Sequence, residues 1–316
     1  MEYRTLGRTG LRVSDVGFGA MTIGGEVFGA TDDGESLKAL HHALDVGMNF
    51  IDTADAYGRG HSEELIAQVL KTRRKEVVLA TKGGNQYMVR QGLRNFDPDY
   101  IKGALEASLK RLQIDTIDLY QLHNPSAEVM KRGEIFDLMD RMKHEGKIRF
   151  YGVSLETVAD GLVAIQTGKP DTLQVVYNIL HQDPEGELFP LAQAHNIGII
   201  PRVPLERGLL SGRFTNPSDF ARDDFRGRMF SEKSLPPLTS ALGKLGFLVR
   251  GDVPNLAQAA LRFVLSHPAV SSVIPGIRTP GQVDANAAAS GKRLPAEDLT
   301  RLRELYQSEF RSIAFH

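Results

Sequence analysis

Three ionisable residues each close a short apolar run: Asp52 after Phe50-Ile51, Lys82 after Val77-Val78-Leu79-Ala80-Thr81, and His123 after Ile117-Asp118-Leu119-Tyr120-Gln121-Leu122. A fourth, Tyr57, follows Asp52 in the glycine-flanked loop Ala54-Asp55-Ala56-Tyr57-Gly58. Together these residue types can deliver a proton to an alkoxide formed by hydride addition to a carbonyl. A free tyrosine, with a pKa of about 10, is too weak an acid to do so well near neutrality. Lys82 beside Tyr57 would favour the phenolate, Asp52 would hold Lys82 charged and oriented, and His123 could hydrogen-bond the carbonyl oxygen and aim it. Taken singly, a strand-end Asp can merely cap a turn, a strand-end Lys is ordinarily solvated and an isolated His is ordinarily structural. Four such residues in this order, each at or just after the end of an apolar strand, favour chemistry over that reading.

Polar side chains at the C-terminal ends of successive short strands are where a parallel α/β barrel carries its chemistry. Apolar runs expected to be strands lie at 16–18, 48–52, 77–82, 117–123, 148–154, 173–178, 199–203 and 270–275. They alternate with helical periodicity, which is the signature of repeated β-α units with a parallel sheet. Asp97-Pro98 supplies an N-cap and a proline at the first helical position, leading into Ile101, Leu105, Leu109 and Leu112 on one face. Val158, Leu162 and Ile165 make a second face, closed by Gly168, and Leu37, Leu40, His41 and Leu44 a third. Residues 3–13 read as a hairpin around glycine turns that plugs one barrel mouth. Residues 206–253 are too long for an ordinary βα connection and are expected to form an excursion over one face, with a helix over 238–248. The expected fold class is therefore α/β, a (β/α)8 TIM barrel with an N-terminal β-hairpin plug, as a single domain over 1–316.

At 316 residues, with 41% hydrophobic and 24% charged residues, the chain suits one large barrel with a sizeable core. A formal net charge of -1 gives no electrostatic footprint for nucleic acid or an anionic membrane. Zero cysteines exclude disulfides, a thiolate nucleophile and a Cys-based metal site, so redox chemistry would need a borrowed cofactor. The N-terminus Met1-Glu2-Tyr3-Arg4 lacks a signal-peptide core, and no apolar run approaches the roughly 20 residues needed to span a bilayer. A cytoplasmic chain is expected. No Gly-x-Gly-x-x-Gly opens a helix after a strand, no Walker glycine loop is present and no His-Glu-x-x-His occurs, which argues against a Rossmann fold, a P-loop and a metal site. The segment Thr279-Pro280-Gly281-Gln282 has its own physics: Thr279 at an N-cap, Pro280 at the first position and Gln282 at the third make a capping box. The amides of that helix start offer an anion site, with Arg278 beside them supplying charge for a phosphate.

These residues resemble the aldo-keto reductases, NAD(P)H-dependent (β/α)8-barrel oxidoreductases, and the resemblance runs from the hairpin to about Asn286. It implies that Tyr57 is the general acid/base, that Lys82 and Asp52 tune it, and that His123 orients the substrate, the histidine being similar to the carbonyl-reducing members. Gly152-Val153-Ser154-Leu155 resembles a segment Gly-Val-Ser-Asn whose Ser and Asn hold the nicotinamide amide; here Leu155 cannot hydrogen-bond, so Ser154 and Gln174 are left to do so. Residues 199–213 resemble the strand and pyrophosphate loop, implying cofactor contacts from Arg202, Pro204, Leu205, Arg207, Gly208 and Arg213, with Met21 joining them from the first loop. Arg202 stands where an aromatic often stacks on the nicotinamide. Gly276, Arg278, Gln282 and Asn286 look like adenosine-phosphate contacts.

The expected activity is NADPH-dependent reduction of aldehydes or ketones, with NADPH/NADP as cofactor, NAD as a possible one, and a small carbonyl compound as partner. The alternatives are an NAD(P)-dependent sugar or small-alcohol dehydrogenase and, because relatives of this fold are regulatory subunits of potassium channels, a cofactor-binding module without significant turnover. The loops expected to shape the substrate pocket follow Ala20, follow Asn124 and span 206–253. No pattern in the sequence reads on oligomeric state.

Overall fold

The computed structural model describes residues 1–25, 29, 31–85, 94–212, 214, 219–220, 224–230 and 235–313. An antiparallel pair, β1 (Tyr3–Thr5) and β2 (Arg12–Ser14), precedes seven parallel strands hydrogen-bonded in chain order. These are β3 (Phe18–Gly19), β4 (Phe50–Asp52), β5 (Val78–Gly83), β6 (Ile117–His123), β7 (Ile148–Ser154), β8 (Thr172–Val176) and β9 (Gly198–Arg202). Parallel neighbours in chain order require a crossover after every strand. The principal helices are α1 (Asp33–Asp45), α2 (His61–Arg73), α3 (Pro98–Leu112), α4 (Ala127–Arg132), α5 (Glu134–His144), α6 (Val158–Gln166), α7 (Leu188–Ala194), α8 (Arg226–Met229), α9 (Leu235–Gly243), α10 (Leu256–Ser266), α11 (Pro280–Ala287) and α12 (Ala296–Ser308). Among the described residues no helix is long and apolar enough to cross a membrane.

The run at 270–275 closes the barrel through isolated parallel bridges, Val16↔Val273, Gly19↔Gly276 and Ile199↔Val270, rather than as the continuous strand that its sequence predicts. It still bonds to both neighbours: Val273 donates to the Asp15 carbonyl (2.9 Å) and Ile274 to that of Pro201 (3.2 Å). Pro275 and Pro201 each lack an N–H, so each ladder misses a bond there, although the one to β3 resumes where Gly19 donates to the Pro275 carbonyl (2.9 Å).

Local signals explain where several helices start. Asp97 accepts from the amides of Asp99 and Tyr100 at the head of α3, which buries Ile101, Leu105 and Leu112 and leaves Leu109 half-buried. In α6 the buried face is Gly161, Ala164 and Ile165, with Val158 and Leu162 at its margins, and Gly168 takes φ 69° just beyond the end. In α1 the buried face is Ser36, Ala39, Leu40, Ala43 and Leu44; His41, expected on it, is exposed because 3.6-residue periodicity carries it past the edge. The expected helix at 238–248 is shifted: α9 ends at Gly243 and a 3-10 turn covers Gly246–Leu248.

Two apolar layers result. The larger lies between the strands and the helices. The smaller is inside the barrel, where Phe50, Ala80, Leu119, Ile200 and Ile274 meet Leu6, Leu11 and Val13 of the hairpin segment. Arg4 donates to the carbonyls of Leu265 and Val270, and Arg8 to those of Gly168, Lys169 and Pro170, which fixes the hairpin over the N-terminal mouth, opposite the strand ends that carry the polar residues.

Candidate active site

Residues two apart on a strand share a face. From the inner apolar layer, Phe50 therefore leads to Asp52, Ala80 to Lys82, Leu119 to Gln121 and His123, and Ile200 to Arg202. Strand register then aligns the layer above, pairing Asp52 with Ala80, Lys82 with Gln121, His123 with Ser154, Ser154 with Gln174 and Val176 with Arg202. The expectation that polar strand ends converge at one mouth holds in these pairings.

Lys82 is fully buried. Its Nζ donates to Asp52 Oδ1 (2.5 Å), to the Thr53 carbonyl (2.9 Å) and to the Tyr57 hydroxyl (3.3 Å), using all three donors of an ammonium. Burial pushes the ammonium down, but the Asp52 carboxylate and the Tyr57 phenol beside it outweigh that and hold it above its ordinary value, so it stays charged. Asp52 Oδ2 accepts from Gln121 Nε2 (3.0 Å) and Gln174 Nε2 (2.8 Å). Gln174 thus turns its amide nitrogen toward Asp52 from within the barrel, the capping role that a polar residue in a strand can also take.

Tyr57 opens a 3-10 turn, Tyr57–Gly60, that departs from helical geometry at Gly58 (φ 60°) and Arg59 (φ 56°). A Cβ on Gly58 would sit 2.0 Å from the Gly24 carbonyl oxygen, so the tyrosine loop is pressed backbone to backbone on the turn Ala20–Gly24 and only glycine fits. Thr53 and Asp55 donate to the carbonyls of Ala80 and Lys82 (2.8 and 3.0 Å), tying the same loop to β5. The His123 ring stands edge-on to Tyr57 at 6.1 Å between centroids. Burial, then the positive charges of Lys82, Arg202 and Arg94, push its imidazole well below the usual range, and its buried Nδ1 has no partner. It is a neutral ring at neutral pH.

Around the mouth, Ser154 is buried with an unpartnered Oγ, and Leu155 is buried in the outer core, so the residue after Ser154 contributes its backbone and not its side chain. Arg202 Nη2 donates to the Leu155 carbonyl (3.0 Å), and its Nε is buried without a partner. Beyond β9, Val203, Glu206, Arg207 and Gly208 all have positive φ (57°, 43°, 51° and 99°), a tight turn in which the amides of Glu206 and Gly208 donate back to the carbonyls of Val203 and Leu205 (3.1 and 2.9 Å) and which, for a β-branched valine, carries strain. Glu206, fully buried, holds that run by accepting from Asn178 (3.0 Å) and pairing with His181 and Arg207. Pro204 is buried, and Leu205, Arg207, Gly208 and Met21 are half-buried beside it or on the turn after β3. Arg213 lies outside the described residues.

At α11, Thr279 caps the Gln282 amide, and Gln282 Oε1 accepts from the amide of Arg278 (2.7 Å) instead of that of Thr279, one residue earlier than a capping box requires. Arg278 is half-buried with Arg226 and Asp224 as charged neighbours; Gly276 is exposed and Asn286 buried. Thr22 donates to the Ile277 carbonyl (2.8 Å), joining this segment to the turn that carries Met21.

Sequence reasoning missed three contributors. Gln121 was legible as the residue two before His123 on the same strand face. Glu206 gave no signal short of the loop itself. Buried Asp55, Glu63 and Tyr120 form a cluster under the tyrosine loop with half-buried Arg111, Glu63 being bound by Thr81 and Arg111 (2.6 Å each); its members come from four different elements.

A model of the aldo/keto reductase family matches residues 15–307. The chain belongs to that family. It is 31% identical to the NADH-specific methylglyoxal reductase of Escherichia coli over 98% of this chain and 99% of the relative. Among solved structures it is similar to the holo form of aldo-keto reductase AKR11C1 from Bacillus halodurans, with 32% identity, TM-score 0.79 and 96% of each chain covered. It also resembles the glycerol dehydrogenase AKR11B4 of Gluconobacter oxydans, with 29% identity, TM-score 0.81, and 95% of this chain and 93% of that one covered. Aldo-keto reductases are NAD(P)H-dependent oxidoreductases acting on carbonyl or alcohol groups, and this chain is an enzyme of that kind. Its mouth suits such a cofactor: the orphaned Ser154 Oγ and Arg202 Nε offer buried donors.

Proposed function

We propose that this enzyme reduces aldehydes or ketones with NADPH, Tyr57 being the general acid. The observation that carries this reading is the buried ammonium of Lys82, bonded at once to Asp52 and to the Tyr57 hydroxyl. A charged donor on the phenol stabilises the phenolate left after proton transfer, and Asp52 keeps that donor charged inside the barrel. His123, neutral, can hydrogen-bond the carbonyl oxygen and orient it without competing as the acid. When bound, the nicotinamide supplies the hydride. Ser154, Gln174, Arg202 and the loop of Pro204, Leu205, Arg207, Gly208 and Arg213, with Met21, would hold its nicotinamide and pyrophosphate end. Gly276, Arg278, Gln282 and Asn286 would hold the adenosine phosphate.

The reverse reaction, oxidation of a sugar or small alcohol with Tyr57 as base, is the second reading; the likeness to a glycerol dehydrogenase favours it. NADPH and NADP+ absorbance changes with a panel of aldehydes, ketones, sugars and polyols separate the two. Tyr57→Phe keeps the ring and removes the proton donor, so turnover should fall by about 10²–10⁴-fold while NADPH still binds. Full activity in that variant would remove Tyr57 from the role, and a wild type that binds NADPH yet turns over nothing in the panel would leave a binding module.

A further inference from the structure

We propose that Arg202 makes this site discriminate between redox states, holding the reduced nicotinamide more tightly than the oxidised one. The inference rests on the reading of the mouth as a nicotinamide site. Arg202 leaves the end of β9, crosses the end of β8 and bonds the carbonyl of Leu155, beyond β7. Its guanidinium therefore spans the mouth, and the two residues at which this chain departs from the resembled pattern, Leu155 and Arg202, are in direct contact.

Charge bookkeeping around that guanidinium is lopsided. Lys82 is neutralised by Asp52, and His123 is uncharged. Among the described residues no carboxylate forms an ion pair with Arg202; the groups that favour its charge from longer range are the Tyr57 phenol first, then Glu156, itself paired with Arg94, and Glu206, already engaged by His181, Arg207 and Asn178. Among the described residues Arg202 is a cation of the mouth that no carboxylate pairs, with a buried N–H unspent. The oxidised nicotinamide ring carries a full positive charge and the reduced ring none, while the remainder of the two molecules is the same. A buried like charge therefore raises the dissociation constant of the oxidised form selectively. For carbonyl reduction this is useful: the reduced cofactor is retained and the spent one leaves.

The test is calorimetric titration of NADPH and NADP+ into the wild type, Arg202→Met and Arg202→Lys, with thermal melts to show each is folded and Arg202→Gln as a second neutral variant. In the wild type and Arg202→Lys the oxidised form should bind at least about tenfold more weakly than the reduced form. In the neutral variants the ratio should collapse toward unity, chiefly because NADP+ tightens. Equal affinities in the wild type, or a ratio unmoved by both neutral variants, would overturn the inference while leaving the cofactor reading intact. Failure of the wild type to bind either form would remove the cofactor reading and the inference with it. A neutral variant that changes only the KM of carboxylate-bearing carbonyls, such as glyoxylate, would reassign Arg202 to the substrate and overturn the proposal.

Discussion

An ammonium taken out of water costs several kcal/mol unless its partners are well placed. Lys82 meets that cost with a carboxylate, a carbonyl and a phenol, and Gln121 and Gln174 hold the carboxylate from its other side. The same reasoning about charge and partner applies at the far end of the proposed cofactor site. Arg278 stands beside the capped start of α11, where a guanidinium can grip a 2′-phosphate with charge-assisted hydrogen bonds. Arg278→Ala should weaken NADPH by about 1.5–3 kcal/mol, roughly ten- to hundredfold in dissociation constant, and leave NADH nearly unchanged. Titrating both cofactors by tyrosine fluorescence or calorimetry checks it, the chain having no tryptophan. Equal losses for both would assign Arg278 to the pyrophosphate or to the loop alone, and the proposed preference for NADPH would go.

At the scale of the element, the loop between β4 and α2 is where sequence and geometry are most tightly coupled. Gly58→Ala would impose a side chain at φ 60° and drive its Cβ to 2.0 Å from the Gly24 carbonyl oxygen. The backbone term alone is on the order of 1 kcal/mol or more, and the clash must displace Tyr57 from Lys82. Activity should therefore fall more than stability does, which parallel kcat and melting measurements will show; full activity would mean the loop relaxes without moving the phenol. The same loop carries Asp55, whose carboxyl is pushed up to about 7 by burial first and the charge of Glu63 next, against the pull of Arg111, the Ala56 amide and Lys82; the buried Tyr120 phenol also lies near it. A carboxyl that binds its proton more tightly when folded costs nothing below the unfolded value of 3.8, and costs progressively more stability as pH rises from there to about 7. Asp55→Asn should thus gain stability over the wild type at pH 8, on the order of 1–3 kcal/mol, and gain little at pH 4. Denaturant titrations at both values decide it, and a gain that is equal at the two would mean that the buried charge is not the cause.

Over the whole molecule, period-2 alternation divides each strand between an outer core and an inner column that runs from apolar floor to polar mouth. That alternation is why Asp52, Lys82 and His123 could be read from the sequence, each ending an apolar run, with Tyr57 in the glycine-flanked loop after the first of them, since a barrel brings such ends together. The polar support at Gln121 was equally readable, since it shares a strand face with His123. The cluster of Asp55, Glu63, Arg111 and Tyr120 was not, because long-range contacts between segments set it, and neither was the interrupted eighth strand, where two prolines on facing segments break the ladders. The hairpin was legible as a local turn pattern, and its place at the N-terminal mouth follows from Leu6, Leu11 and Val13 completing the inner apolar floor. Leu6 is fully buried there, so Leu6→Ala should cost about 2–5 kcal/mol of stability. The cavity would open at the end of the barrel opposite Tyr57, beneath Phe50, Ala80 and Leu119, each of which lies one side-chain step below a polar residue of the site. Because β-strands transmit little of such a local collapse along their length while their ladders are intact, kcat measured well below the lowered melting temperature should stay within about twofold of wild type. A large loss of kcat at full folding would show that the floor and the mouth are mechanically coupled, and that the hairpin is part of the catalytic frame and not merely its stopper.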